Sequence, residues 1–333
     1  MRKVLLTVFL LFGTIVGSGF SSGKEILVFF TRFGALSYLY IFLASMLFFL
    51  LFYLFLSKGK FVIERLEKVK IVNIILIFIS IVFTSSMFAG LKSLFKFSNS
   101  VMYVLLCAGL LLITFFITLK GINALEKVTF FLMPICVFVF LIVLFYASFQ
   151  QVEISELSMA PLGCFYSPLY VALNFSTSTF IVSRAGVGLN KKQVFWVSFL
   201  TSFLLLVFLI FANFVLISHA NSYDADMPFL FLCQNNFLFF LLCYSVILIG
   251  CVTTLFSLCL TIKSSVDGLS KNDFWGAFFA IILPFLISEI GFSLIVSNLY
   301  PLASVLGICE LFFFLFSFKK KKIIEKPKLI DKP

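Results

Sequence analysis

The first hydrophobic segment contains a stretch, from Gly13 to Glu25, that combines four glycines with serine and threonine hydroxyls. It reads GTIVGSGFSSGKE. Glycine weakens a helix and short hydroxyl side chains compete for its backbone groups, so we expect the helix to be interrupted here. Inside a bilayer, unpaired N–H and C=O groups are tolerated only within protein or around a cavity, where they often bind ions or solutes. The stretch therefore predicts a solute or ion site.

The N–H groups after this break carry the positive end of a helix dipole, which attracts an anionic group. We predict that N–H groups near Ser18 and Gly19 bind the carboxylate of a solute and that Gly17 belongs to the same solute site. Phe20 follows them, and we expect its ring to close over the bound molecule.

A second polar cluster lies in the sixth hydrophobic segment, where residues 174–179 read NFSTST. Five hydrogen-bonding side chains in six positions of an otherwise apolar segment predict a second interrupted helix. We expect Asn174, Ser176 or Thr177 to bind an amino group of the solute, together with carbonyls that the interruption frees.

Two hydroxyl-rich stripes recur at helical spacing in the third and eighth segments. They consist of Asn73, Ser80 and Thr84 in one segment and of Thr253, Ser257 and Thr261 in the other. Each set lies on one helical face. We predict that Asn73, Ser80 and Thr84 line the solute site, although any one such residue could simply bond the preceding turn of its own helix.

Carboxylates inside a membrane are costly and are suspected of function by default. Glu25, Glu289 and Glu310 are the candidates for proton coupling. The alternative for Glu25 is an interfacial residue balanced by Lys24 or Arg32. Glu289 and Glu310 could equally be structural, protonated and hydrogen-bonded.

The composition of the chain is that of a polytopic membrane protein. Of the 333 residues, 62% are hydrophobic and only 12% are charged, against roughly 25% charged in soluble domains. The segments predict ten membrane-spanning helices: 4–30, 35–57, 71–91, 100–119, 128–149, 167–188, 194–217, 236–262, 274–296 and 300–318. The net charge of +11 reflects topology and attraction to anionic lipid, and we expect no nucleic-acid partner.

Of the 25 basic residues, only Lys24, Arg32, Lys92 and Lys96 fall outside when the N-terminus is cytoplasmic. Both termini are therefore expected in the cytoplasm. Interrupted helices one and six, five segments apart, predict two inverted five-helix repeats within a single transmembrane domain. We place this domain at 1–318, its repeats at about 4–149 and 167–318, and a basic, disordered cytoplasmic tail at 319–333.

The run GSGFSSGKE at Gly17 to Glu25 resembles the YkvI family of bacterial membrane proteins, whose first helix carries a G-x-G-F-x-S-G-x-E pattern. Thr253-Thr254 and Tyr300-Pro301 are similar to that family too. Proteins of this kind resemble the amino acid/polyamine/organocation superfamily, which implies the all-helical fold of the leucine transporter. The resemblance further implies a sodium-like site made of the carbonyls of Gly13 and Val16 and the hydroxyls of Thr253 and Thr254.

These observations predict a secondary transporter of an amino acid or amine-like solute in the bacterial cell membrane. We expect it to work by alternating access, with sodium or a proton as the candidate coupling ion and no other cofactor. The alternative is a ligand-sensing permease subunit without net transport, similar to spore germinant-receptor permeases. An enzyme is not expected, since the sequence has no H-E-x-x-H or G-x-S-x-G motif. The bilayer and a small solute are the expected partners, and the sequence does not identify a partner subunit.

Overall fold

The computed structural model describes residues 2–95, 100–152, 161–267 and 273–324. These residues form helices joined by turns and short loops. The helices before residue 153 are α1 (Arg2–Ile15), α2 (Ser18–Ser22), α3 (Lys24–Phe29), α4 (Ser37–Ser57), α5 (Gly59–Lys68), α6 (Lys70–Phe95), α7 (Ser100–Lys120) and α8 (Ile122–Ala147). Those after residue 160 are α9 (Tyr166–Gly186), α10 (Lys191–Ile217), α11 (Pro228–Leu232), α12 (Phe237–Asp267), α13 (Asp273–Ile287), α14 (Phe292–Leu294) and α15 (Tyr300–Ile324).

Helical segments lie at each of the ten predicted spans. Within the described residues, six of them are long and apolar enough to cross a membrane by length and composition. They are Thr31–Ser57, Lys70–Phe95, Ile122–Ala147, Lys191–Ile217, Phe237–Ser265 and Phe292–Phe318. Their outward faces carry large apolar side chains such as Phe131, Phe138 and Phe145, each more than 60% exposed. An apolar outer surface of this kind suits lipid.

The first span is interrupted as predicted, although the break is narrower than expected. Gly13 still belongs to α1, and the regular winding stops only at Val16 and Gly17. A second interruption lies at Gly23, between α2 and α3, where the glycine adopts a left-handed conformation with φ of 89°. The segment that follows the break is therefore itself bent.

The predicted interruption of the sixth span is wrong, because α9 is one continuous helix of 21 residues. Its hydroxyls are compatible with helical winding, since they donate to carbonyls of the preceding turn. Thr177 Oγ1 donates to Asn174 O at 2.8 Å and Thr179 Oγ1 to Phe175 O at 3.1 Å. Side chains that bond their own helix in this way satisfy themselves without unwinding it.

Contacts at one end of the bundle bring together three segments that are far apart in the sequence. At this end, which we call the inner end, Lys3 donates to Gly188 O at 2.9 Å and Lys58 lies 4.3 Å from the Phe318 ring. This places the start of α1, the α9–α10 turn and the end of α15 on one face. The helix α15 continues to Ile324, beyond the end of the predicted transmembrane domain, and residues 325–333 lie outside the described residues.

The packing of the helices is matched between the two halves of the chain. The third and eighth spans, α6 and α12, pack on one another, as do the second and seventh, α4 and α10. The contact of α1 with α8 is mirrored by that of α9 with α15. If each span of one half is replaced by the corresponding span of the other half, the same pairs of spans are therefore in contact.

Candidate functional site

The site begins with a carbonyl that the break leaves without its helical partner. In a continuous helix Gly13 O would accept from Gly17 N–H, but that N–H donates to Ile15 O instead, at 2.9 Å. Gly13 O accepts the hydroxyl of Thr254 in α12, at 2.9 Å. A side chain from another helix therefore caps the end of α1, as buried helix ends require.

Glycines on two neighbouring helices let the broken segment pack closely between them. A Cβ on Gly90 of α6 would lie 2.8 Å from the Cβ of Ser18, and one on Gly250 of α12 would lie 3.0 Å from Val16 O. The N–H of Ser18 points at the sulfur of Met87 at 3.3 Å. The break is thus held between α6 and α12, deep in the protein.

The bend at Gly23 returns the side chain of Glu25 to the break. A Cβ on Gly19 would overlap the Glu25 carboxyl, so glycine provides the space that the carboxyl fills. Glu25 has no solvent-exposed surface, and neither carboxyl oxygen has a hydrogen-bond partner. The alternative of an interfacial residue balanced by Lys24 or Arg32 does not fit this placement, because Lys24 donates to carbonyls of residues 223 and 225 and Arg32 lies over the rings of Phe33 and Tyr166.

The α9 helix brings two polar side chains to this carboxyl. Asn174 faces Glu25, and its Nδ2 donates to Tyr170 O at 3.2 Å, which leaves its Oδ1 without a partner. Tyr170 is fully buried and its hydroxyl is likewise without a partner. Tyr300 of α15 also faces Glu25, and its hydroxyl donates to Ser86 Oγ at 2.8 Å.

Ser176, which we expected beside Asn174, lies at a different interface. Its hydroxyl donates to Gly307 O of α15 at 3.3 Å and faces Glu310. Two residues along a helix are about 200° apart around its axis, so Asn174 and Ser176 project to nearly opposite sides. Of the alternatives that we predicted for the amino group, Asn174 therefore faces Glu25 beside the break, whereas Ser176 faces α15.

Two other predicted contacts with the solute have packing explanations. Phe20 is buried and packs edge to face on Phe140 of α8, with ring centroids 6.2 Å apart. The hydroxyl of Thr177 is bonded within α9 to the Asn174 carbonyl.

The four oxygens of the predicted sodium-like site come from the two helices that meet at the break. Thr254 contacts Gly13 directly, and Val16 O lies against Gly250, one turn before Thr254 on α12. Thr253 bonds its own helix, donating to Ile249 O at 2.9 Å. Carbonyl and hydroxyl oxygens are the ligands that hard cations prefer, so the donor set fits such an ion.

The two hydroxyl stripes are buried between α6 and α12 and lead toward the inner end. Asn73 Nδ2 donates to Ser265 O at 2.9 Å, which joins the stripes there. Thr84 donates to Ser80 O at 2.6 Å and Thr261 to Ser257 O at 3.0 Å, so both hydroxyls bond their own helices. Asn73 precedes Thr84 by 11 residues, about 16 Å of helix. It therefore lies far from the break, toward the inner end.

A cavity of about 350 Å³ lies at the inner end of these stripes, and we call it the inner vestibule. Its lining includes Asn73, Phe180, Arg184, Lys263 and Ser265. It lies between α5, α6, α8, α9 and α12. The buried hydroxyls of Ser257 and Thr261 lie along α12 between this vestibule and Thr254.

The outer side of the break is covered by the α10–α12 connection, residues 218–236. Phe229 of α11 packs against Gly23, since a Cβ on this glycine would lie only 3.0 Å from the Phe229 ring. Lys24 Nζ donates to Tyr223 O at 3.1 Å and to Ala225 O at 2.9 Å. We call residues 218–236 the outer cover, because these contacts tie them to the bent first helix.

Glu289 is not a buried proton carrier, which corrects the prediction. Its side chain is 70% exposed and forms an ion pair with Lys92. Lys92 also donates to Ser288 Oγ at 2.7 Å and lies 3.8 Å from the Phe285 ring. The lysine therefore fastens α6 to the end of α13 at the outer surface.

Glu310, by contrast, is fully buried with both oxygens unpartnered, facing Ser176 and Thr179.

Sequence reasoning missed Tyr170, Gly250 and Met87 as neighbours of the break. Tyr170 precedes Asn174 by four residues, so helical spacing could have placed both on one face of α9. Gly250 precedes Thr254 by the same interval on α12. No comparable signal points to Met87.

The geometry describes a polytopic, all-helical membrane protein with an interrupted helix around a buried polar site. The chain is similar to the uncharacterized membrane protein YkvI of Bacillus subtilis (strain 168), with 23% identity over 323 residues, covering 88% of this chain and 90% of that protein. This similarity supports the resemblance to the YkvI family. No family model matches the chain.

Proposed function

We propose that this protein is a secondary transporter that moves a small organic solute, an amino acid or an amine, by alternating access. The observation that carries the proposal is the broken first helix, held between α6 and α12 with a buried, unpartnered carboxyl beside it. Broken backbone in a membrane protein is tolerated where it surrounds a bound guest. Such sites lie where two structural repeats meet.

We infer that ten helices cross the membrane as two inverted five-helix repeats, in the manner of the leucine transporter and its superfamily. The matched contacts between the two halves of the chain support this arrangement. The continuity of α9 limits the resemblance, because only the first half then contributes freed backbone groups. The α9 helix contributes side chains instead, those of Tyr170 and Asn174.

The proposed path for the solute follows from the two ends of the bundle. The outer cover, tied down by Lys24, lies over the break. The inner vestibule of about 350 Å³ extends from the opposite end toward the buried hydroxyl stripes. This arrangement suits a state in which the site is closed to the outside, and alternating access requires the outer cover to release.

Two coupling ions are compatible with the site. Gly13, Val16, Thr253 and Thr254 would hold a sodium ion, which would supply positive charge at the end of α1. Glu25 and Glu310 are the buried groups that would carry a proton. We further propose that both termini face the cytoplasm of a bacterial cell, that no catalysis occurs, and that lipid and solute are the principal partners.

Uptake into proteoliposomes tests the proposal. Purified protein is reconstituted, and entry of labelled leucine and labelled methylamine is followed with and without a sodium or pH gradient. We expect saturable uptake that the Gly19→Leu variant loses, since the new side chain would displace the Glu25 carboxyl. Gly109→Leu is the matched control, because a Cβ added to Gly109 would meet no atom within 4 Å.

The competing function, a ligand sensor on the same scaffold, makes a different prediction for these measurements. Binding of solute to the purified protein without any flux would favour the sensor. Uptake that persists unchanged in Gly19→Leu would contradict a solute site at the break.

A further inference from the structure

Four polar atoms around Glu25 are buried without a hydrogen-bond partner, and with Glu25 ionised three of them can only accept a hydrogen bond, whereas the fourth, the Tyr170 hydroxyl, can also donate one. Both Glu25 carboxyl oxygens and Asn174 Oδ1 are buried and have no hydrogen-bond partner. An ionised carboxylate and an amide oxygen can only accept hydrogen bonds. Two further polar groups face this set, the hydroxyl of Tyr170, also without a partner, and that of Tyr300, which is bonded to Ser86.

The charge of this carboxyl is not balanced by a basic side chain among the described residues beside it. Lys24, its neighbour on α3, donates to two carbonyls of the outer cover. The titratable groups that face Glu25 from the other packed elements are the phenols of Tyr170 on α9 and Tyr300 on α15. The α2 helix presents Gly19, which has no side chain, to the carboxyl.

A buried carboxylate without a partner is costly, so a positive charge must accompany it. A proton satisfies this need, because protonated Glu25 can donate to Asn174 Oδ1. A primary ammonium group satisfies it equally, because it carries three N–H donors and no acceptor. Three unpartnered oxygens are available to those three donors. The rings of Phe29 and Phe30 pack on Tyr170, so the wall of this site on the Tyr170 side is aromatic.

We propose that Glu25 holds one positive charge at a time, either a proton or the ammonium group of the solute, and that the solute is therefore a cationic organic amine. This inference rests on the proposed function and sharpens its substrate class. Binding of R–NH₃⁺ to Glu25 in its COOH form transfers the carboxyl proton to water and leaves an ammonium–carboxylate pair. The net charge of the site is unchanged, so amine and proton exchange for each other.

The helix end that we expected to bind a carboxylate group contributes little to this site. The α2 helix has only five residues, and the N–H of Ser18 is directed at the Met87 thioether. A zwitterion would thus bring a negative group into a site that already holds Glu25. The geometry selects an amine with net positive charge over a zwitterionic amino acid.

Infrared difference spectroscopy on the full-length protein in lipid tests the exchange directly, with methylammonium chloride as the probe. We expect the C=O stretching band of a protonated carboxylic acid in the wild type, its absence from Glu25→Gln, and its loss on adding methylammonium but not on adding potassium chloride. Glu64→Gln, at an exposed position on α5, is the control and keeps the response. A band that is absent, or that methylammonium leaves unchanged, would overturn the proposal.

Calorimetric titration provides a second readout. Methylammonium binding measured in two buffers of different ionisation enthalpy should release one proton per bound ligand, and the affinity should fall at least tenfold in Glu25→Gln. Binding without proton release would also overturn the exchange. If leucine is transported by both the wild type and Glu25→Gln, the transport function stands and only the charge assignment fails.

Discussion

The hydroxyl of Thr254 donates a hydrogen bond of 2.9 Å to the carbonyl of Gly13, joining α12 to the end of α1. The two residues are 241 positions apart, and their contact links the counterpart halves of the chain. It also occupies the point at which a freed helix carbonyl would otherwise be buried without a donor. The hydroxyl and the carbonyl that form this cap are therefore also two of the four oxygens of the proposed sodium-like site.

Thr254→Val tests the first of these roles, the cap. Valine keeps the shape of threonine but leaves Gly13 O without its donor, which costs about 0.5–2 kcal/mol. Thr118→Val is the control, because the Thr118 hydroxyl bonds only its own helix, at Thr114 O. Thermal unfolding in detergent should show a larger loss of stability for Thr254→Val, and equal losses would contradict the cap.

The same measurement bears on the ion. If sodium binds at these oxygens, the unfolding temperature of the wild type is higher in sodium chloride than in choline chloride, and Thr254→Val loses the difference. A sodium effect that survives in Thr254→Val would exclude this position for the ion.

Gly23 makes the bend that brings Glu25 back to the break, with φ of 89°. In Gly23→Ala, the left-handed conformation costs the new residue about 1–2 kcal/mol, and its Cβ would lie 3.0 Å from Phe229. Gly109→Ala, in the helical interior with open space around it, should instead stabilise by about 0.5–1 kcal/mol. Opposite shifts in unfolding temperature are expected, and stabilisation by both would contradict a required turn at Gly23.

The sequence predicted the break in the first helix because glycines and hydroxyls act locally, on the residues that carry them. The same reasoning failed for α9, where hydroxyls such as Thr177 bond the preceding turn and leave the winding intact. Composition alone does not distinguish these outcomes. Glycines allow the close approach and the left-handed turn that an interruption needs, and the segment 174–179 has none.

The location of buried charge was harder to predict. Glu25, Glu289 and Glu310 all lie in apolar sequence, yet only the structure separates the exposed ion pair of Glu289 from the two buried, unpartnered carboxyls. The distinction depends on contacts such as Lys92 with Glu289, which are 197 residues apart. Helical periodicity predicts which residues share a face of one helix and carries no information on which helix packs against that face.

Lys24 is expected to control access from the outer side. Its two hydrogen bonds hold the outer cover against α3, and Cys233, which follows α11 within that cover, is fully buried. Lys24→Met should raise the labelling rate of Cys233 by a membrane-impermeant thiol reagent about tenfold or more, since a charged donor bond contributes roughly 1.5–3 kcal/mol. Lys24→Arg retains donors and should stay close to the wild type.

Mass spectrometry of the labelled peptides provides an internal reference for this experiment. Cys164 is exposed in the structure and should react at the same rate in every variant. An unchanged Cys233 rate in Lys24→Met, with Cys164 behaving as expected, would show that the outer cover is held by other contacts.

Lys92 and Glu289 should respond unequally to substitution, because one side chain is 9% exposed and the other 70%. Glu289→Gln weakens a pair that solvent already screens, so the cost should stay below about 1 kcal/mol. Lys92→Met removes the bonds to Phe285 O and Ser288 Oγ as well, and should cost about 1.5–3 kcal/mol. Thermal unfolding measures both, and the pH profile of methylamine uptake should be the same in Glu289→Gln as in the wild type. A shifted profile would return Glu289 to the proton path, whereas a stability loss confined to Lys92→Met identifies the lysine as the fastener between α6 and α13.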